Sequence, residues 1–115
     1  MEFLVPSKAP ENFTVTECSS TSITAYWQLP PADSRNGIIA GFKLFYKRKD
    51  SVASPTMIIL NNGKIHAKNV TELNEYTEYE FQVLAFTSVG DGPKSSVEVE
   101  RTREDGENNN LGPKL

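Results

Sequence analysis

Cysteine is the first scarcity: the 115-residue chain has one, Cys18. A single cysteine excludes an internal disulfide and any cysteine-rich zinc centre. Histidine is equally scarce, with His66 alone, so no histidine cluster is available to hold a metal. Positive charge does not predominate either. Twelve Lys and Arg stand against fifteen Asp and Glu, a net charge of −3, whereas binding to a phosphate backbone needs a concentrated positive field. Nucleic acid is therefore not expected as a partner. No apolar run approaches the roughly 18–20 residues of a membrane span, and Phe3-Leu4-Val5 is too short for the apolar segment of a signal peptide. Direct membrane insertion by this stretch of chain is thus not expected. A sustained 3.6-residue period is missing as well, which argues against helices.

What is present is alternation. From Thr77 to Ala85, Tyr79, Phe81, Val83 and Ala85 share one parity, and Glu78, Glu80 and Gln82 the other. Successive strand side chains point to opposite faces, so this is a half-buried strand. Gly90-Asp91-Gly92-Pro93 ends it. Earlier in the chain, Phe13 and Val15 alternate with Asn12, Thr14 and Thr16. After a turn at Ser19–Ser22, Ile23, Ala25 and Trp27 alternate with Thr24, Tyr26 and Gln28. Pro30-Pro31 and the Asn36-Gly37 turn dipeptide precede a third strand over about 39–49, with Phe42, Leu44 and Tyr46 on one face and Lys43, Phe45 and Lys47 on the other. Thr56–Leu60 and His66–Val70 read as short strands, and Val97 and Val99 alternate with Glu98 and Glu100 in a last one.

About seven short strands with a turn every 8–12 residues predict an all-β, immunoglobulin-like sandwich of two antiparallel sheets. The expected core is Trp27, Phe42, Leu44, Tyr46, Leu73, Tyr79, Phe81 and Val83. Burying Trp27 alone removes roughly 200 Å² from water, worth about 5 kcal/mol as an upper bound. Leu73 is placed to plug the end of the core, and the Tyr79 hydroxyl to fold back onto the preceding connection as a tyrosine corner. Apolar residues stand where antibody-type domains place their inter-sheet cysteines, so no disulfide is expected.

Pro10, Trp27, Pro30-Pro31, Asn36-Gly37-Ile38-x-x-Gly41-Phe42-x-Leu44-x-Tyr46, Leu73, Tyr79-x-Phe81-x-Val83-x-Ala85 and Gly90-x-Gly92-Pro93-x-Ser95 together resemble the fibronectin type III family. The likeness runs from about Ala9 to Thr102. It implies a domain over 9–103, an extended lead-in or linker over 1–8 and a polar, disordered tail over 104–115. A membrane-proximal position and an unusual linker would each account for such a tail. The resemblance further implies a non-catalytic interaction and spacer module without cofactor, flanked by fibronectin type III or immunoglobulin modules in the same chain. Thr102-Arg103-Glu104-Asp105 is similar to module ends in cell-surface adhesion and guidance receptors and receptor tyrosine phosphatases. The expected setting is therefore the extracellular part of a single-pass membrane protein with protein partners. An intracellular, muscle-filament-type array is the alternative, and an accessory module of a secreted polysaccharide-degrading enzyme a third.

For recognition, the outward parity of the third and central strands is unusual. Phe45, Leu84 and Phe86 fall there, expected to be flanked by Lys43 and Lys47 on one strand and Glu98 and Glu100 on another. Apolar surface rimmed by charge is how partner sites look, and cover by Thr56–Leu60 or a loop is the competing expectation. Asn12-Phe13-Thr14 and Asn69-Val70-Thr71 are N-glycosylation sequons with both asparagines outward. Lys47-Arg48-Lys49 offers a weak attraction for sulfated glycans or acidic lipid, with pairing to Glu78 or Glu80 the plainer reading. Integrin recognition through Arg-Gly-Asp has no support, since Val89-Gly90-Asp91-Gly92 lacks the arginine. His66, Ser88 and Cys18 show no catalytic grouping, and Cys18 is expected as a small buried hydrophobe.

Overall fold

The computed structural model describes residues 4–104. Of the expected lead-in and tail, positions 1–3 and 105–115 lie outside the described residues. The strands are β1 (Glu11–Ser19), β2 (Ser22–Gln28), β3 (Gly41–Arg48), β4 (Thr56–Leu60), β5 (Ala67–Val70), β6 (Glu78–Phe86) and β7 (Glu98–Arg101), with one 3₁₀ turn at Ala32–Ser34. All pairings are antiparallel, in a three-stranded sheet ordered β1-β2-β5 and a four-stranded sheet ordered β4-β3-β6-β7. The seven-stranded, disulfide-free sandwich read from the sequence is the fold of the protein.

The alternating apolar residues meet between the sheets. Ile23, Ala25 and Trp27 of β2 face Phe42 and Leu44 of β3 and Tyr79, Phe81, Val83 and Ala85 of β6, all in one buried cluster with Ile39, Val70 and Leu73. Trp27 lies 5.5 Å from Phe42, ring centre to ring centre, which couples β2 to β3 between the sheets, whereas the covalent pin of antibody-type domains joins the equivalents of β2 and β6. Tyr46 is only half-buried. It closes one end of the core, 6.0 Å from Phe81 and 6.5 Å from Tyr79. Strand β3 begins at Gly41, not near Ile39, and at that first residue the chain passes very close to β4. A Cβ on Gly41 would sit 2.1 Å from the Leu60 carbonyl oxygen, so only glycine lets the two strands pair.

At the pole near Tyr79, the tyrosine corner forms. The Asn74 N–H donates to the Tyr79 hydroxyl at 2.8 Å. A partner not foreseen from sequence completes it: Thr102 is 1% exposed, and its hydroxyl accepts the Thr77 N–H at 2.9 Å and donates to the Asn74 carbonyl at 2.6 Å. These bonds hold a connection in which Glu72 and Tyr76 adopt positive φ of 61° and 48°, a conformation that local sterics disfavour for such side chains.

The opposite pole is closed by residues 4–7. Pro6 is fully buried, the Leu4 and Ser7 N–H groups donate to the Asn36 and Ser34 carbonyls at 2.9 Å each, and the Thr87 hydroxyl donates to the Leu4 carbonyl at 2.9 Å. Here Gly92 is required for close approach, since a Cβ on it would stand 2.8 Å from the Pro6 Cβ. This part of the lead-in is a docked segment, not a free tether.

Candidate functional site: the outer face of the four-stranded sheet

Register decides which side chains share a face, because directly opposed residues on antiparallel strands project to the same side. Phe45 pairs with Met57 and with Gln82, and Lys43 pairs with Ile59 and with Leu84. Lys47 pairs with Glu80, which pairs in turn with Val99. The outer face of the four-stranded sheet therefore carries Met57 and Ile59 on β4, Lys43, Phe45 and Lys47 on β3, Glu80, Gln82, Leu84 and Phe86 on β6, and Val99 on β7.

Two sequence expectations about this face are corrected. Glu98 and Glu100 do not rim it: they pair with Phe81 and Tyr79, which puts them on the inner side of the edge strand, where both residues are half-buried. The valines take the outer side, Val97 and Val99 being 47% and 42% exposed. Alternation in the last strand was visible, but which parity turns inward depends on its register against β6.

Leu84 is the second correction. Its parity is outward, yet it is 4% exposed. Two lysines reach across β6 at this point, and the first is Lys43, whose ammonium meets Asp91 at 2.9 Å and lies 5.8 Å from the Phe86 ring centre. Asp91 bridges Phe86 on the side of β6 away from β3, so the lysine stem crosses β6 between its register partner Leu84 and Phe86. Lysine methylenes cover apolar surface in this way while the charge stays in water. Lys94 reaches the same face, its ammonium 4.1 Å above the Phe45 ring centre, a cation–π contact of about 0.5–1 kcal/mol at an exposed site. Phe45 and Phe86 remain half-buried, while Met57 and Ile59 are 44% and 48% exposed at the β4 margin. The face thus has an apolar floor, exposed apolar margins and two lysine stems laid across it.

Toward the Tyr79 pole the face becomes ionic. Lys47 lies 3.3 Å from Glu80, while Lys49 and Arg101 sit 3.8 and 3.7 Å from the two oxygens of Glu78. Arg48 pairs with Asp50 at 3.8 Å, so each residue of the basic triplet has an acidic neighbour. Exposed pairs of this kind contribute ~0–1 kcal/mol each.

The three-stranded sheet presents a different outer surface. Asn69 pairs with Thr24, whose hydroxyl donates to the Asn69 side-chain oxygen at 3.1 Å. Asn12, at a positive φ of 53° where β1 bulges, donates its amide to Gln28. Both sequon asparagines, and the hydroxyl residues Thr14 and Thr71, are exposed, and both asparagines belong to the outside of this sheet. Cys18 is exposed, not buried. Alternation runs unbroken along β1, with Phe13, Val15, Glu17 and Ser19 half-buried and Thr14, Thr16 and Cys18 exposed, so Cys18 simply takes the outer parity. His66 is exposed as well, and its carbonyl accepts the Trp27 N–H at 3.0 Å. Among the described residues no three His, Cys, Asp or Glu side chains are grouped to hold a metal.

Sequence reasoning missed Lys94, Met57, Ile59, Val97 and Val99 as parts of the face. The signal was there for β4, since placing Ile58 and Leu60 inward obliges Met57 and Ile59 to point out.

The sandwich with its tyrosine corner and inter-sheet tryptophan matches a known family model. The fibronectin type III domain model covers residues 8–101. The chain belongs to the fibronectin type III domain family. Among its relatives are Protein sidekick-1 of Gallus gallus, 40% identical over 102 residues, and Receptor-type tyrosine-protein phosphatase F of Bos taurus, 37% identical over 101 residues. These matches take in 88% and 87% of this chain but only 5% of each relative, so the chain spans about a twentieth of the length of the curated relatives it matches. Of solved structures, the FN5 domain of Drosophila Lar superposes with a TM-score of 0.68 at 30% identity, covering 86% of this chain and 98% of that one.

Proposed function

We propose that this fibronectin type III domain is a non-catalytic interaction and spacer module in the extracellular part of a multidomain cell-surface adhesion or signalling receptor. Its protein-binding surface is the outer face of the four-stranded sheet around Phe45 and Phe86, with Lys43 and Lys47 beside them. One observation carries the reading: the two outer faces differ in chemistry, the three-stranded one exposing Tyr26 among polar neighbours. One bears half-buried aromatics with exposed Met57, Ile59, Val97 and Val99, and the other bears both sequon asparagines, Asn12 and Asn69. Glycans on Asn12 or Asn69 would shield the three-stranded sheet and leave the apolar face free for a partner, where aromatic anchors count most. The similarity to sidekick-1 and to a receptor-type phosphatase supports the receptor setting. The Lar domain's name, FN5, supports neighbouring modules of the same kind.

The test has two arms. Mass spectrometry of the protein from its native source should find glycan on Asn12 or Asn69. Unmodified asparagines there would instead favour an intracellular structural array. In a binding screen against cell-surface ectodomains, Phe45→Ser should abolish partner capture while the domain stays folded. Capture unchanged by Phe45→Ser would refute the face.

A further inference from the structure

Each sheet has two edges, and the four edges of this sandwich are not alike. β1 is broken by two register shifts and carries Glu11 and Glu17. β5 has four residues and includes Lys68 and the sequon Asn69. β7 has four residues, three of them charged: Glu98, Glu100 and Arg101. Bulges, brevity and charge are the devices by which natural sheets prevent edge-to-edge pairing. β4 has neither bulge nor charge, and it is one residue longer than β5 and β7. Thr56-Met57-Ile58-Ile59-Leu60 holds no charge, no proline and no bulge, and its register with β3 is unbroken over five residues.

The ladder shows which backbone groups this edge offers. The Lys49 N–H donates to the Glu78 carbonyl at 2.9 Å, one step beyond the Arg48–Tyr79 pair. Hydrogen-bonded and non-bonded pairs alternate in an antiparallel ladder. Lys47, Phe45 and Lys43 therefore turn their backbone groups to β6, and Tyr46, Leu44 and Phe42 turn theirs to β4. Their partners Thr56, Ile58 and Leu60 are committed to β3. The N–H and C=O groups of Met57 and Ile59 point to the open side.

We propose that β4 is a self-pairing edge: two copies of this chain join antiparallel about a two-fold axis at Ile58, fusing two four-stranded sheets into one. In that register Met57 of each copy opposes Ile59 of the other, and the free groups of both residues are satisfied reciprocally. Centring the axis on Met57 would oppose Pro55, which has no N–H, to Ile59, and centring it on Ile59 would draw Asn61 from beyond the strand. Charge favours a second copy at this edge over any other. β4 meets its own image without like-charge opposition, whereas self-pairing of β7 or β5 brings glutamates or Lys68 together. The cation beside Ile59 on the neighbouring strand, Lys43, is already paired with Asp91. A five-residue strand is only about 17 Å long, short for a stable interface of about 800 Å² per partner, so the dimer is weak and forms at high local concentration. The inference uses the main chain of β4 and does not depend on Phe45 binding a partner.

Sedimentation velocity of the full 115-residue chain from micromolar to millimolar concentration tests it, with amide exchange read by NMR. The sedimentation coefficient should rise with concentration. The Met57 and Ile59 amides should gain protection in parallel, while Ile58 stays protected throughout. Met57→Pro removes one open-side N–H without breaking a bond to β3, and should leave a folded monomer at all concentrations. If proline at this position disturbs folding, Met57→Glu places a carboxylate at the join and should likewise abolish the rise. A wild-type monomer across the whole range would overturn the proposal, whether or not the edge takes a strand from another protein. So would association that survives Met57→Pro, in particular one lost instead with Phe45→Ser.

Discussion

Replacing Tyr79 with Phe removes one oxygen from the corner and almost nothing else. The ring is 5% exposed and packs 6.5 Å from Tyr46, and phenylalanine fills the same space. What is lost is the acceptor for the Asn74 N–H at 2.8 Å. A neutral hydrogen bond contributes about 1 kcal/mol net, and an orphaned buried donor costs about 1–3 kcal/mol. Asn74 is exposed as a residue, so water recovers part of that penalty, and the expected loss is about 1.5 kcal/mol. For a domain near 100 residues this lowers the melting temperature by roughly 7 °C. Trp27 is the only tryptophan and lies in the core, so its fluorescence reports urea unfolding directly. Thr102→Val removes two bonds at the same connection while keeping the shape, and should cost about 2 kcal/mol. Because both side chains hold Asn74, the double variant should be less destabilised than the sum by at least about 0.5 kcal/mol. A Tyr79→Phe effect below about 0.5 kcal/mol, with strictly additive behaviour, would refute the view that this corner is a coupled clamp.

Two more predictions rest on burial. Leu84→Ser should destabilise by about 3 kcal/mol and Phe45→Ser by about half as much, because Leu84 is 4% exposed and Phe45 only half-buried; urea midpoints in the reverse order would mean that Leu84 is not sealed. Gly92→Ala should cost about 1–3 kcal/mol by forcing Pro6 off the body, and NMR shifts of Leu4, Asn36 and Thr87 should move with it, whereas a silent substitution would mean the lead-in is loosely held.

The strands and their inward residues were legible because period-two alternation is a local property. Phe81, Val83 and Ala85 are inward whatever lies opposite, and the tyrosine corner needs only Tyr79 and the turn before it. The lack of a disulfide follows from a single cysteine, with no geometry required. Parity becomes ambiguous where a strand is short and amphipathic. Val97-Glu98-Val99-Glu100 fits either way round, and only pairing with Phe81 and Tyr79 turns the glutamates inward. Cys18 was misread for a different reason: the alternation that begins at Phe13 continues to Ser19, so the local pattern already put it outside. Long-range reach is equally invisible: Lys43 is 48 residues from Asp91, and Lys94 meets Phe45 across β6. Local chain chemistry thus determined which residues form strands and which of the strongly alternating ones lie inside. Which outer residues are covered, and which edge is left open, was decided by register and by side chains folded across the sheet, because those are contacts between segments distant in the chain.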